Sequence, residues 1–134
     1  MPAYGTFCWN ELLTNDPDRA KAFYGEVLGW TFTAVDLENT SQPAKPGGKA
    51  YILCRTGDQT AGGMLKLEGP QLAGIAPQWV SYIKVANVDA VVAKVAGAGG
   101  RVKMAPFDVP SVGRIAVIAD PSGAPFCVMT PTPR

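Results

Sequence analysis

Shifted by 71 residues, the first half of this chain lands on the second: Asp18 falls on Asp89, Ala22 on Ala93 and Gly29 on Gly100. The coincidences mark helix starts and helix stops, so the chain carries one supersecondary unit twice. After the long connection of the first half the offset falls to about 64, because that connection outruns its counterpart at 105–113. Each copy reads as strand, helix and three further strands. Neither copy is large enough to bury its own sheet well, so the two are expected to pack as one α+β domain over residues 1–134.

Local chemistry supports each element. Residues 5–14 are rich in aromatic and β-favouring side chains and predict a strand. Asp16 is placed to cap the following helix, Pro17 fits its first turn and Asp18 suits its positive end. Ala20, Phe23, Tyr24, Val27 and Leu28 recur at helical spacing as one apolar face, and Gly29 stops the helix. Strands are expected at 30–35, 50–55 and 63–67, with a polar loop at 36–49 and a turn at Gly57–Asp58. Module one thus covers approximately 4–68, a Gly- and Pro-bearing connector 69–77, and module two approximately 78–131. In module two a strand at 78–85 leads to Asn87, which caps a helix bearing Val88, Val91, Val92 and Val95. Gly97, Gly99 and Gly100 end that helix, and strands follow at 101–109, 114–119 and 125–130.

Composition removes several classes of function. The chain has no histidine, which excludes a Ser-His-Asp triad, a Cys-His dyad and any His-ligated metal. Twelve Lys and Arg against 11 Asp and Glu leave a formal charge of +1 without a charged block, so neither nucleic acid nor a membrane surface is an expected partner. No apolar run approaches the length of a spanning helix, and residues 1–7 lack the pattern of a secretory signal. Three widely spaced cysteines (Cys8, Cys54, Cys127) fit free thiols in a reducing cytoplasm.

Two pairs of segments carry a resemblance. The first pair is Trp9-Asn10-Glu11-Leu12-Leu13-Thr14-Asn15-Asp16-Pro17 with Ala22-Phe23-Tyr24-Gly25-Glu26-Val27-Leu28-Gly29-Trp30. The second is Val85-Ala86-Asn87-Val88-Asp89 with the late Asp120-Pro121-Ser122-Gly123 turn and the strand before it. Over essentially its whole length the chain resembles the vicinal-oxygen-chelate proteins, the glyoxalase, bleomycin-resistance and extradiol-dioxygenase superfamily. The resemblance implies paired βαβββ modules with curled mixed sheets around a cleft, helices outside, and a homodimer. It also implies four cation ligands on inward-facing strand positions, matched here by Trp9, Gly63, Val80 and Cys127. Trp, Gly and Val side chains bind no divalent ion and one cysteine is not a site, so no metal and no other cofactor are expected. Lactoylglutathione lyase and extradiol dioxygenase chemistry of the metal-dependent kind is correspondingly not expected.

Strand alternation extends the implied cleft face to Phe7, Glu11 and Leu13 around Trp9, to Tyr82 and Lys84 beyond Val80, and to Met129 beside Cys127. Such a lining, apolar and aromatic with sparse polar groups, suits a small molecule. Glu11 is the candidate general acid or base, in an apolar setting that would raise its pKa. Tyr82 is the candidate hydrogen-bond or proton donor, and Lys84 a candidate oxyanion stabiliser. The competing structural reading makes Glu11 and Lys84 an ion pair and Tyr82 core filler. Cys127 lacks an activating histidine and reads as a buried inert thiol rather than a nucleophile. Trp9 either stacks on a flat ligand or fills the vacated cation position. Asp120-Pro121-Ser122-Gly123 reads as turn geometry. Three functions follow in order: a metal-independent small-molecule-binding protein, a cofactor-independent isomerase, cyclase, hydrolase or lyase using Glu11 and Tyr82, and a non-catalytic assembly module.

Overall fold

The computed structural model describes residues 3–37, 39–46, 49–70, 74–109 and 112–132. Gly47 and Gly48 of the expected long loop, and 71–73 of the expected connector, lie outside them. The described residues form eight strands and two α-helices, an α+β fold. They run β1 (Phe7–Thr14), α1 (Pro17–Leu28), β2 (Thr31–Asp36), β3 (Ala50–Thr56), β4 (Gln59–Lys66), β5 (Gln78–Lys84), α2 (Val88–Val95), β6 (Arg101–Val109), β7 (Gly113–Ala119) and β8 (Pro125–Pro131). The βαβββ order is therefore present twice. The clearest shift from expectation is β4, which begins at Gln59 because the Gly57–Asp58 turn is a tight hairpin connection.

The chain divides into two compact units, one of Asn10–Trp79 and one of Met1–Trp9 with Val80–Arg134. They are called the first and second unit below. The first has strand order β2-β3-β4-β1, and the second has β5-β8-β7-β6. β1 pairs in parallel with β4 through Glu11↔Gly63 and Leu12↔Met64, and β5 pairs in parallel with β8 through Tyr82↔Cys127. These two registers are one register: offsets of 71 and 64 carry Glu11 to Tyr82 and Gly63 to Cys127. The antiparallel partners agree, with Leu53↔Gly63 in one unit and Val117↔Cys127 in the other.

Both helices start as their sequences dictate. The Asp16 carboxylate accepts from the Arg19 amide at 3.1 Å with Pro17 in the first turn, and the Asn87 side chain accepts from the Ala90 amide at 3.0 Å. α1 stops at Gly29, whose φ of 73° is the left-handed conformation that favours glycine. α2 tightens into a 3-10 turn at Ala96–Ala98 before Gly99 ends it the same way.

Each unit has its own core between helix and sheet. In the first, Leu12, Ile52, Cys54 and Met64 pack with Ala20, Tyr24, Trp30 and Phe32. In the second, Val88, Val95, Ala116, Ile118 and Val128 pack with Val85, Val91, Val92 and Phe126. The apolar stripe on α1 is only partly used. Ala20 and Tyr24 face the core, whereas Phe23, Val27 and Leu28 are exposed and no α1 residue is buried. The aromatic cluster beside α1 explains Tyr24's place: it stacks on Trp30 at 5.5 Å between ring centroids and accepts a hydrogen bond from Trp79 Nε1 at 3.0 Å. Trp30 and Trp79 also meet edge to face, at 6.1 Å between ring centroids.

Candidate functional site

Strand parity sorts the first unit into two faces. Leu12, Ile52 and Met64 point to α1, so Glu11, Tyr51 and Gly63 point the other way. Glu11 and Tyr51 are each only 7% exposed, and Gly63 is buried. The Tyr51 hydroxyl donates to Glu11 Oε1 at 2.8 Å. A buried carboxylate costs free energy unless it is hydrogen-bonded, and this bond offsets part of that cost.

Gly63 makes the bond possible. A Cβ built on it would overlap the Tyr51 hydroxyl and its ring carbons, and the three nearest atoms all belong to Tyr51. The tip of the tyrosine therefore occupies the space a side chain at 63 would fill. Gly62, its neighbour, is equally constrained from the other face, where a Cβ would press on the Asn10 carbonyl oxygen at 2.8 Å. Consecutive glycines on β4 thus serve close approach on both sides of the strand.

The remaining candidates are placed as follows. Trp9 is half-buried and belongs to the second unit, on the β1 segment that precedes Asn10. Phe7 is 66% exposed, more open than a lining residue was expected to be. Leu13 is half-buried in the first unit. In the second unit Val80, Tyr82 and Cys127 are buried, and Tyr82 lies directly opposite Cys127, with Lys84 opposite Met129. The Cys8 thiol donates to the Tyr82 carbonyl oxygen at 3.7 Å. The Lys84 ammonium sits 5.2 Å from the Tyr4 ring centroid, a cation–π distance.

Tyr51 was missed in the sequence. Parity within Ala50-Tyr51-Ile52 puts it opposite the core residue Ile52, but only the β3–β4 register brings it over Gly63. The glycine pair on β4 was the available signal, since two small residues in a strand mark something large nearby.

Three of the four positions that match the superfamily's cation ligands cannot ligate a cation, and Cys127 by itself does not make a site. Trp9 and Val80 offer no donor for a divalent ion, Gly63 has no side chain, and its side-chain space holds the Tyr51 hydroxyl. Among the described residues no group of three or more His, Cys, Asp or Glu is arranged to hold a metal ion. Burial pushes the Cys54 thiol up to about 11, and desolvation raises Cys8 despite the nearby Lys84 charge.

Outside this face the charges do structural work. Arg114 holds the Asp89 carboxylate in two bonds, Nε at 2.7 Å and Nη2 at 3.0 Å, and reaches Asp108 at 3.2 Å. Its guanidinium keeps Asp89 below the ordinary carboxylate range. Asp120 accepts from the Ser122 amide and hydroxyl and from the Ala124 amide, which lowers its pKa and fixes the late turn.

Known proteins agree with this architecture. The chain is 42% identical over 130 residues to "Putative glyoxylase CFP32" of Mycobacterium tuberculosis, covering 97% of this chain and 46% of the relative. It is 30% identical over 137 residues to the anthracycline biosynthesis protein DnrV of Streptomyces peucetius, covering 94% and 47%. The chain thus spans about half the length of the curated relatives it matches. Methylmalonyl-CoA epimerase from Mycobacterium tuberculosis shares the fold with a TM-score of 0.60 at 18% identity, covering 99% of this chain and 93% of that one. A hypothetical protein, BH1468, from Bacillus halodurans does so with a TM-score of 0.62 at 15% identity, covering 96% of each. The family model matches residues 7–128, from the start of β1 into β8, and the chain belongs to the Glyoxalase/Bleomycin resistance protein/Dioxygenase superfamily.

Proposed function

We propose that this chain is a metal-independent small-molecule-binding protein of its superfamily, and that its ligand is a flat molecule held against apolar and aromatic side chains. The observation that carries the first half is the Tyr51 hydroxyl in the side-chain space of Gly63, bonded to Glu11. A tyrosine fills one position that matches a family cation ligand, beside a buried carboxylate, and Trp and Val stand at two others. Such a face binds by burying flat apolar surface and orients its ligand with few polar groups. Phe7, Trp9, Leu13, Gly63, Val80, Cys127 and Met129 are the proposed lining, and Glu11 the proposed polar anchor. Curated relatives named for anthracycline biosynthesis support a small organic molecule as the ligand. The superfamily resemblance supports a homodimer, and the free thiols of Cys8, Cys54 and Cys127 support a cytoplasmic setting. Among the described residues no helix is long and apolar enough to cross a membrane.

A second reading is favoured by one observation: Glu11 is a buried carboxylate with a phenol hydrogen-bonded to it. In that reading the chain is a cofactor-independent isomerase, cyclase, hydrolase or lyase. Glu11 moves the proton, Tyr82 donates, and Lys84 stabilises developing negative charge. Glu11→Gln would then abolish turnover and spare binding.

The test is titration of the purified chain with an anthracycline, before and after dialysis against a chelator, with metal analysis of the same sample. Saturable binding that survives chelation supports the proposal. Stoichiometric metal whose removal abolishes binding contradicts it. No binding, and no ligand-dependent rise in melting temperature, favours an assembly module instead.

A further inference from the structure

α1 turns Ala20 and Tyr24 to the core and leaves its opposite side uncovered. Arg19, Ala22, Phe23 and Glu26 are exposed there, and positions three and four apart lie on one stripe of a helix. Phe23 and Val27, one turn apart, are each more than half exposed. Phe23 meets Tyr24 edge to face at 5.1 Å between ring centroids, and Tyr24 meets the exposed Trp79 at 5.7 Å, so apolar surface runs on beyond the helix. The two charges on the stripe oppose the dipole of their own helix. Arg19 stands in the first turn, at the positive end, and Glu26 in the last, at the negative end. Among the described residues neither side chain is in an ion pair. They cannot pair with each other, since seven positions along a helix span about 10 Å.

The order of residues along the stripe removes the conflict. From its N-terminal end it runs cation, small, large, anion (Arg19, Ala22, Phe23, Glu26), and from the other end anion, large, small, cation. Two such stripes laid antiparallel are complementary, as an interface between identical surfaces requires. We propose that this side of α1 is an interface between two copies of the chain, with the helices antiparallel about a two-fold axis between residues 22 and 23. Arg19 then faces the partner's Glu26 at both ends, and Ala22 receives the partner's Phe23. Each charge also comes beside the helix end of opposite sign in the other copy. The proposal rests on the homodimer in the reading above and gives it a surface; the ligand-binding part of that reading is independent of it.

One helix pair is a small interface, so the expected dissociation constant is on the order of micromolar. Sedimentation equilibrium measures it for the wild-type chain, Arg19→Glu, Glu26→Arg and the double exchange, with melting temperatures recorded in parallel. Each single reversal sets like charges face to face at both ends of the pair. The expected result is about a tenfold rise in the dissociation constant. The double exchange restores opposite charges across the axis and should return most of the lost affinity. Neither exchange harms the helix itself, because glutamate in the first turn and arginine in the last complement its dipole. A dimer indifferent to the single reversals, or a double exchange as weak as either of them, would overturn the α1 interface and leave a homodimer through another surface. A wild-type chain that is monomeric at every concentration measured would overturn both the interface and the homodimer.

Discussion

The two units answer one topological problem with different chemistry. In the second unit α2 buries Val88 and Val95 against the aliphatic sheet residues Ala116, Ile118 and Val128, with Phe126 packed at their side. In the first unit α1 buries nothing fully and leaves Phe23, Val27 and Leu28 exposed, so its attachment rests on Ala20, Tyr24 and an aromatic cluster. The sheet faces away from the helices differ too. One carries Glu11, Tyr51 and Gly63; the other carries Tyr82, Ile115 and Cys127 at the repeat-related positions. The parallel registers of the two units coincide, and the residues that occupy them differ. The polar, size-matched cluster lies in the unit whose helix has no buried residue.

The largest difference should appear in the cores. Met64 has no exposed surface, and Met64→Ala should cost about 2–5 kcal/mol in urea unfolding. Val88→Ala in the second unit should cost roughly 2 kcal/mol, since fewer methyl groups are lost. Equal costs would erase the contrast. Next come the helix caps: Asp16→Ala and Asn87→Ala should each cost about 1 kcal/mol by the same measurement. A larger loss for Asp16→Ala would sharpen the view that α1 depends on its ends more than on its buried face.

Acid should act on the second unit through named carboxylates. Asp89 is held below its ordinary value by Arg114, and Asp120 by Ser122. A folded-state pKa below the unfolded one contributes stability above the unfolded value, near 4 for aspartate as an approximate figure, and loses it as pH falls through the folded value. Arg114→Ala should therefore lower the urea midpoint at pH 7 and narrow the gap between the pH 7 and pH 3 midpoints. An unchanged gap would assign the acid sensitivity elsewhere. The smallest effect is chemical: Cys54, pushed to about 11 by burial, should remain unlabelled by a thiol reagent at pH 8 while the native chain is intact. Labelling of Cys54 faster than of the half-buried Cys8 would show that the first unit opens locally.

Much of the fold was legible because repeats and caps are local signals. Asp16, Pro17, Gly29 and Asn87 each do what their residue type dictates within a few positions. The offsets read from the chain also reproduce the parallel registers, since one register serves both copies. Burial on α1 was less legible, because helical spacing names an apolar face without saying how much of it has something to cover it. The site was legible only in part. Glu11 was named by strand alternation around a position the family resemblance supplied, and Gly63 by the resemblance carried through the repeat offset, but Tyr51 depends on a strand register and on an empty side-chain position, and neither is written in Tyr51's own neighbourhood.

A double-mutant cycle on Tyr51 and Gly63 reaches the centre of this account. Stabilities would be measured by urea unfolding for wild type, Tyr51→Ala, Gly63→Ala and the double variant. If the tyrosine fills the space beside the glycine, Gly63→Ala costs about 1–3 kcal/mol alone and little or nothing once Tyr51 is already alanine. Costs that simply add would mean that the two residues do not share that space, and that the position matching a family ligand is not closed in the way described.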